Sequence, residues 1–358
     1  MVEQLLTVAT PNTTPYRNIA LEKYLLDHVQ PGQCILYLWR NANTVVIGRN
    51  QSALGECRVA ELEADGGHLA RRLSGGGAVY HDLGNLNFTF ITRREDYDVA
   101  RQTEVILQAV RDLGIPAVRT GRNDLEVEGG KFSGHAYYRT KEACYHHGTL
   151  MVQVDVQNMG RYLKPAPEKL ASKGVQSLRS RVVNLSDYHP GLSVHELGES
   201  LRRAFGSVYG LMVHNLDPVT FSTREIDALT DRFRSREWLF RDERELGHSA
   251  SRRFDWGGVT LRWELEDGRV SDCLISSDGL ESDYLESVPA LLRGCEFSPK
   301  AVEAALAAGS SDEATDAVAR DLGRMLFPSG AAAGTGEGGD AGDAPRTAQG
   351  SASESEDA

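Results

Sequence analysis

The chain is poor in lysine. Of its 39 basic residues, 7 are Lys and 32 are Arg, and no lysine occurs between positions 24 and 130. It has five cysteines (34, 57, 144, 273, 295), widely spaced and without a C-x-x-C pair. That excludes a disulfide framework and a thiolate zinc site, and points to reduced thiols in a cytoplasm. No apolar run reaches the length of about 18 residues needed to span a bilayer, and the start, "MVEQLLTVATPNTTPYRN", lacks the basic and apolar regions of a signal peptide. Neither G-x-S-x-G nor G-x-x-x-x-G-K-[ST] is present, and the Gly75–Gly77 run does not match G-x-G-x-x-G, so no nucleophile elbow or P-loop applies, and that run is not a dinucleotide fingerprint. There is no excess of positive charge. The net charge is −12 over 358 residues, which argues against broad binding to a nucleic-acid backbone.

What is present is an ordinary globular composition, 41% hydrophobic and 25% charged. The last thirty residues, from Ser329, are Gly, Ala, Ser and acid without Leu, Ile, Val or an aromatic. Such a segment buries too little to order itself, and is expected to be a disordered, solubilising tail. The remainder divides near residue 245. "LNFTFI" (Leu86–Ile91) alternates as a half-buried strand does. Val99, Thr103, Ile106, Val110 and Leu113 recur at one-face helical spacing, and Gly114 and Pro116 stop that helix. "CILYLW" and "TVVIG" read as strands. Beyond the division, strand-like runs flank Asp267-Gly268, a hairpin signal, and helical patterns follow through Phe327.

Four segments could carry chemistry. In "RRLSGGGAVYHD" (Arg71–Asp82) three consecutive glycines cost backbone entropy. They suit a backbone that turns N–H groups toward an anion, or a mere flexible turn. In "EGGKFSGHAYYR" (Glu128–Arg139) Gly129-Gly130 reads as a two-residue hairpin turn. Period 2 then places Lys131, Ser133 and His135 on one face of a strand. A solvated lysine is the bland alternative. In "CYHHGTLMVQVD", Leu150, Val152 and Val154 share a core face, and Tyr145, His147 and Thr149 share the other. His146 and His147 point to opposite faces and cannot chelate one metal. His147 is either catalytic or a hydrogen-bonded structural histidine. Cys144 reads as an ordinary buried thiol. "KGVQSLRSRVVNL" gathers Lys173, Arg179 and Arg181 in a basic loop that could face a phosphate.

Together "NTVVIGRNQ", "RRLSGGGAVYHDLGNLNFTF", "GRNDL", "GKFSGHAYYRTK", "HHGTL" and "KGVQSLRSRVVNL" resemble the bacterial lipoate–protein ligase A family in order and spacing, and the F-x-W-G-G-V hairpin resembles its C-terminal domain. The resemblance implies an α+β fold, a mixed, largely antiparallel sheet with flanking helices, over residues 1–245. A small α/β accessory domain follows over 246–328, then the tail, 329–358. It implies ATP-dependent activation of lipoate to lipoyl-AMP, with Mg²⁺, then transfer to a lysine of lipoyl-domain proteins such as 2-oxoacid dehydrogenase E2 or the glycine cleavage H protein. The alternative is a transferase using preformed lipoyl-AMP or an acyl thioester. Neither nucleic acid nor membrane is an expected partner.

By the same resemblance, Lys131 bridges acyl carbonyl and α-phosphate. Arg72, with the Gly77, Ala78, Val79 and Tyr80 backbone, holds the adenylate. Ser74, Gly75, Gly76, His81, Asn123, Asp124, His147, Gly148 and Thr149 line the cleft, with Arg139 a further nucleotide-site candidate. His135 and the short hairpin before Lys131 depart from the family pattern and bear on the choice between lipoate and octanoate. An apolar tunnel for the acyl arm is expected among sheet residues and the first helix, whose Leu21, Tyr24 and Leu25 share a face. A site that makes an acylating agent also requires its own lysine to remain an ammonium, because a neutral amine would be acylated.

Overall fold

The computed structural model describes residues 1–120, 124–164 and 182–328. Asn123, the basic residues Lys173, Arg179 and Arg181, and the tail from Ser329 lie outside the described residues. The large sheet contains eight strands: β1 (Gln4–Ala9), β2 (Gln33–Trp39), β6 (Asn85–Arg93), β7 (Val118–Thr120), β8 (Asp124–Val127), β9 (Gly130–Arg139), β10 (Ala143–Met151) and β11 (Val213–Asn215). Their spatial order is β11-β1-β2-β6-β10-β9-β8-β7. β1 runs parallel to both neighbours, and every pairing from β2 to β7 is antiparallel. A small sheet, ordered β4-β3-β5, is formed by β3 (Thr44–Ile47), β4 (His68–Arg71) and β5 (Val79–His81).

β6 lies at the centre and departs from the expected half-buried strand: Asn85 through Thr92 are all buried. The even residues Leu86, Phe88 and Phe90 join a core under helices α2 (Val99–Arg111) and α3 (Val194–Tyr209). The odd residues face helix α1 (Pro15–His28), where Ile91 joins a second core. Polar Asn87 and Thr89 therefore sit inside the molecule, and their alternation marks two different interiors. α2 matches its expected face: Thr103, Ile106 and Val110 are buried. Gly114 ends the segment at φ +81°, a conformation glycine adopts without steric cost.

A third group of strands, β12 (His248–Phe254), β13 (Gly257–Glu266) and β14 (Arg269–Ser277), forms an antiparallel sheet with its own core under three helices, Ser282–Leu292, Pro299–Ala308 and Glu313–Leu326. Asp267 (φ 50°) and Gly268 (φ 72°) make the turn between β13 and β14, the positive-φ pair of a type I′ hairpin.

The hairpin before Lys131 differs by one residue from its sequence reading. Glu128 (φ 51°) and Gly129 (φ 81°) form the turn, and Gly130 is already in the strand opposite Val127. Gly130 is needed there for a different reason. A Cβ would lie 2.4 Å from Val183 Cγ1, in the segment whose Val183 N–H donates to the Lys131 carbonyl at 2.9 Å.

Candidate functional site

The Gly-rich loop joins β4 to β5 and is shaped from beneath by two buried arginines. Arg71 is 1% exposed and donates to the carbonyls of Arg49 (2.9 Å), Gln51 (2.7 Å) and Leu239 (2.7 Å). Arg72 donates to Ser74 Oγ (3.1 Å) and to the carbonyls of Val46 (3.2 Å), Gly75 (2.7 Å) and Gly77 (2.8 Å). Burial pushes the Arg72 guanidinium down to about 10, still cationic near neutrality. Its donors pull the loop's carbonyls inward and leave a positive charge under the backbone. Arg72 borders the cavity above, and of the loop Gly76, Gly77, Ala78 and Val79 line it. Tyr80 turns away, its hydroxyl donating to Asn43 Oδ1 at 3.2 Å.

The cavity measures about 380 Å³. Lys131 also lines it; its ammonium lies 2.7 Å from Asp124 Oδ1, both side chains about one-third exposed. Alternation does not hold along this strand. The register shifts between Leu125, which faces Ser133, and Glu126, which faces Lys131, so Phe132 is an extra residue in β9. Lys131 thus shares the cleft side with Gly134, at whose Cβ position its Nζ would be 3.1 Å away. His135, opposite Gly148, borders the cavity but turns its ring inward. Its Nδ1 is 2.9 Å from His146 Nε2, and its ring packs edge-on to Phe88 at 5.3 Å. His147, Gly148 and Thr149 also line this cavity, and Thr149 Oγ1 accepts from the Gly134 amide at 3.3 Å.

The inner end contains residues that sequence reasoning did not single out. Helix α1 presents Ile19 and Glu22 to the cavity, whereas Leu21, Tyr24 and Leu25 pack into the core. The first helix and the strands do supply apolar wall, through Ile19, Trp39 and Val46 rather than the Leu21 face, and a buried carboxylate stands among them. Glu22 Oε1 accepts from Thr89 Oγ1 (2.7 Å) and faces His147 Nδ1 (2.8 Å). His147 Nε2 lies 2.8 Å from Ser74 Oγ. This Glu–His–Ser series has the connectivity of a hydrolytic triad. Ser74, however, is fully buried and does not line the cavity, and its hydroxyl also accepts from Arg72. The series clamps the loop to β10 and α1, and supplies no exposed nucleophile.

Trp39, His81 and Asn87 complete the inner end. Burial, with Arg72 as the next cause, pushes His81 down to about 3, so its ring is neutral. None of the five cysteines lines this cavity. Burial pushes Cys34, Cys57 and Cys273 up to about 12 and raises Cys144 as well.

The last wall comes from the C-terminal strands: Arg253, Asp255, Trp256, Gly257, Asp278 and Leu280. The Gly76 amide donates to the Gly279 carbonyl at 3.2 Å. Asn50 Nδ2 donates to the Ser282 carbonyl at 2.7 Å, and Arg49 pairs with Asp283 at 2.7 Å. Arg139 lies outside the cleft, in a neighbouring cavity of about 690 Å³ between Tyr137 and the C-terminal helices. A Cβ on Gly75 would sit 2.3 Å from the Gly279 carbonyl oxygen, whereas one on Gly77 meets nothing within 4 Å. Gly75→Ala is therefore expected to force the C-terminal domain off the loop, at a cost of about 1–3 kcal/mol, and Gly77→Ala to leave it docked. Small-angle scattering checks this. Equal radii of gyration for the two variants would contradict the contact.

Two family descriptions match the chain: a lipoyl protein ligase A/B catalytic domain over residues 14–206, and a bacterial lipoate protein ligase C-terminus over residues 244–326. Among solved structures, P. falciparum LipL1 in complex with lipoate aligns with 90% of this chain and 99% of its own, at 25% identity and a TM-score of 0.78. A bipartite lipoate protein ligase from Thermoplasma acidophilum, determined with its E2 lipoyl domain, aligns at 29% identity and TM-score 0.57, covering 68% of this chain and 99% of its own. A lipoate–protein ligase A bound with ATP aligns at 26% identity and TM-score 0.56, covering 67% and 98%.

Proposed function

This chain belongs to the lipoyl protein ligase A/B family, and on that footing we propose that it activates lipoate with ATP and passes the lipoyl group to a lysine of a lipoyl domain. The observation that carries the proposal is the position of Lys131. Lys131 lines the same cavity as Gly76, Gly77, Ala78 and Val79. A carboxylate oxygen of the acid attacks the α-phosphorus of ATP, and pyrophosphate leaves with the electrons of the broken P–O bond. The acceptor amine nitrogen then attacks the acyl carbon. The amide forms, AMP leaves, and the amine's proton passes to solvent.

Each residue has a place in that chemistry. Two anions must approach, and an ammonium between carbonyl and phosphate offsets their repulsion most strongly where charge develops. Three freely directed donors suit two partners at different angles better than a planar fork does. The exposed ion pair with Asp124 is weak, so the ammonium can exchange the carboxylate for a phosphate at small cost. In this reading the loop amides hold the phosphate with Arg72 beneath them, the Gly76 amide only after it leaves the Gly279 carbonyl. Asn123 and Arg139 remain part of the proposed nucleotide site, Arg139 from the adjoining cavity.

Among the described residues no group of three or more carboxylates, histidines or cysteines could hold a metal. Mg²⁺ would enter with the triphosphate, held chiefly by phosphate oxygens and water. No cysteine is placed for a thioester route. No helix among the described residues is long and apolar enough to cross a membrane.

The test is lipoate-dependent exchange between ATP and labelled pyrophosphate, with Mg²⁺ and no acceptor protein. Exchange is expected. Its absence, with transfer restored only by preformed lipoyl-AMP or an acyl thioester, would replace the ligase by a transferase.

A further inference from the structure

Three buried polar atoms at the inner end of the cleft have no protein hydrogen-bond partner among the described residues: Glu22 Oε2, His81 Nε2 and Asn87 Nδ2. All three residues line the cavity that holds Lys131, and each is at most 3% exposed. Their hydrogen-bonding roles are fixed by their other atoms. Glu22 Oε1 is engaged by Thr89 and His147, which leaves Oε2 as a free acceptor.

Asn41 Oδ1 accepts from Asn18 Nδ2 at 3.0 Å, so Asn41 turns its Nδ2 to His81 Nδ1 at 3.2 Å. The ring is neutral, hence its hydrogen sits on Nε2. Asn87 Oδ1 accepts from Asn85 Nδ2 at 2.9 Å, leaving Nδ2 as a donor. The cleft floor therefore offers one acceptor and two donors. A hydrocarbon tail would leave all three unmet, which is the costly case for buried polar groups.

We infer that this floor recognises the sulfur end of the acyl substrate in its open, dithiol form, with Glu22 Oε2 accepting a thiol hydrogen and the His81 and Asn87 N–H groups donating to sulfur. The inference rests on the ligase reading above and names the tail that the site selects. The closed disulfide ring offers two weak acceptors and no donor, so it satisfies His81 and Asn87 but not Glu22. Octanoate satisfies none of them. The order of affinity is therefore dithiol, then ring, then octanoate. The first step leaves one buried polar group unpaired and is about tenfold; the second leaves two more and is about a hundredfold.

The experiment is calorimetric titration of the full chain, without ATP, with dihydrolipoate kept reduced by a phosphine, with lipoate, and with octanoate. It is repeated on Glu22→Gln and Asn87→Leu, and pyrophosphate exchange is measured with each acid. In Glu22→Gln the free acceptor becomes a donor. The dithiol's advantage over the ring is then expected to vanish or reverse. In Asn87→Leu octanoate is expected to bind more tightly, a gain that misfolding cannot produce. Equal affinities for the three acids in the wild-type chain would overturn the inference, as would a ring preferred over the dithiol or an unchanged order in Glu22→Gln. Any of these with exchange intact leaves the ligase reading standing. Absence of exchange with every acid removes both.

Discussion

Lys131→Ala is expected to reduce pyrophosphate exchange by about 10²–10³-fold, the usual loss for one preorganised charge at a developing anion. The variant should fold, because the lysine is partly exposed and its ion pair with Asp124 is a surface contact of low worth. The strand itself is held by the backbone. Val183 N–H donates to the Lys131 carbonyl, and Glu126 pairs opposite, contacts that alanine keeps. Lys131→Arg should remain near the alanine level. A guanidinium carries its charge farther from the backbone and prefers one bidentate partner, and Gly134 leaves space shaped for the lysine. Exchange within a few-fold of wild type in the alanine variant would remove Lys131 from the activation step. Mass spectrometry of the wild-type enzyme after turnover adds a second check. Lipoylated Lys131 would mean that the residue does not stay protonated, contrary to its proposed role.

Unfolding free energy is expected to drop by about 3 kcal/mol between pH 6.5 and 5.5. Three fully buried histidines account for this. Burial pushes His81 and His135 down to about 3, and burial followed by the neighbouring His135 pushes His146 well below the usual histidine range. In the unfolded chain each titrates near 6.5. Above that pH neither state binds the protons, and the three contribute nothing. Below it the unfolded state takes up protons that the folded state refuses, and stability falls as pH falls, by about 1 kcal/mol per histidine over this interval. Denaturant titrations at the two pH values measure the effect. His146→Gln should remove about a third of it. A pH-independent midpoint across this range would mean the imidazoles are not held neutral.

Much of this was legible in the sequence. The three glycines with the arginines before them, and the lone lysine of the hairpin, were singled out by pattern, and Arg72, Gly76, Gly77 and Lys131 line one cavity. The cleft's inner end was hidden for a specific reason. Asn87 and Thr89 alternate with Leu86, Phe88 and Phe90 as solvent-facing residues do, and periodicity cannot distinguish solvent from a second interior. Glu22 sits in a helix among leucines and reads as a surface acid, because one sequence does not show which helix face meets a cavity. Period 2 failed at Phe132, since a bulge is a pairing event between two strands. The C-terminal wall at Trp256, Asp278 and Leu280 arises from docking across some 200 positions of chain. Local pattern contains no record of it.

The hydrogen bond from the Gly76 amide to the Gly279 carbonyl makes the second domain a tethered ligand for the very loop proposed to hold the nucleotide. A tethered group competes at an effective concentration set by its linker, in the millimolar range for short flexible connections. A phosphate oxygen that takes this amide must outcompete it. The measured nucleotide affinity is therefore the loop's intrinsic affinity reduced by the fraction of molecules in which the carbonyl is already in place.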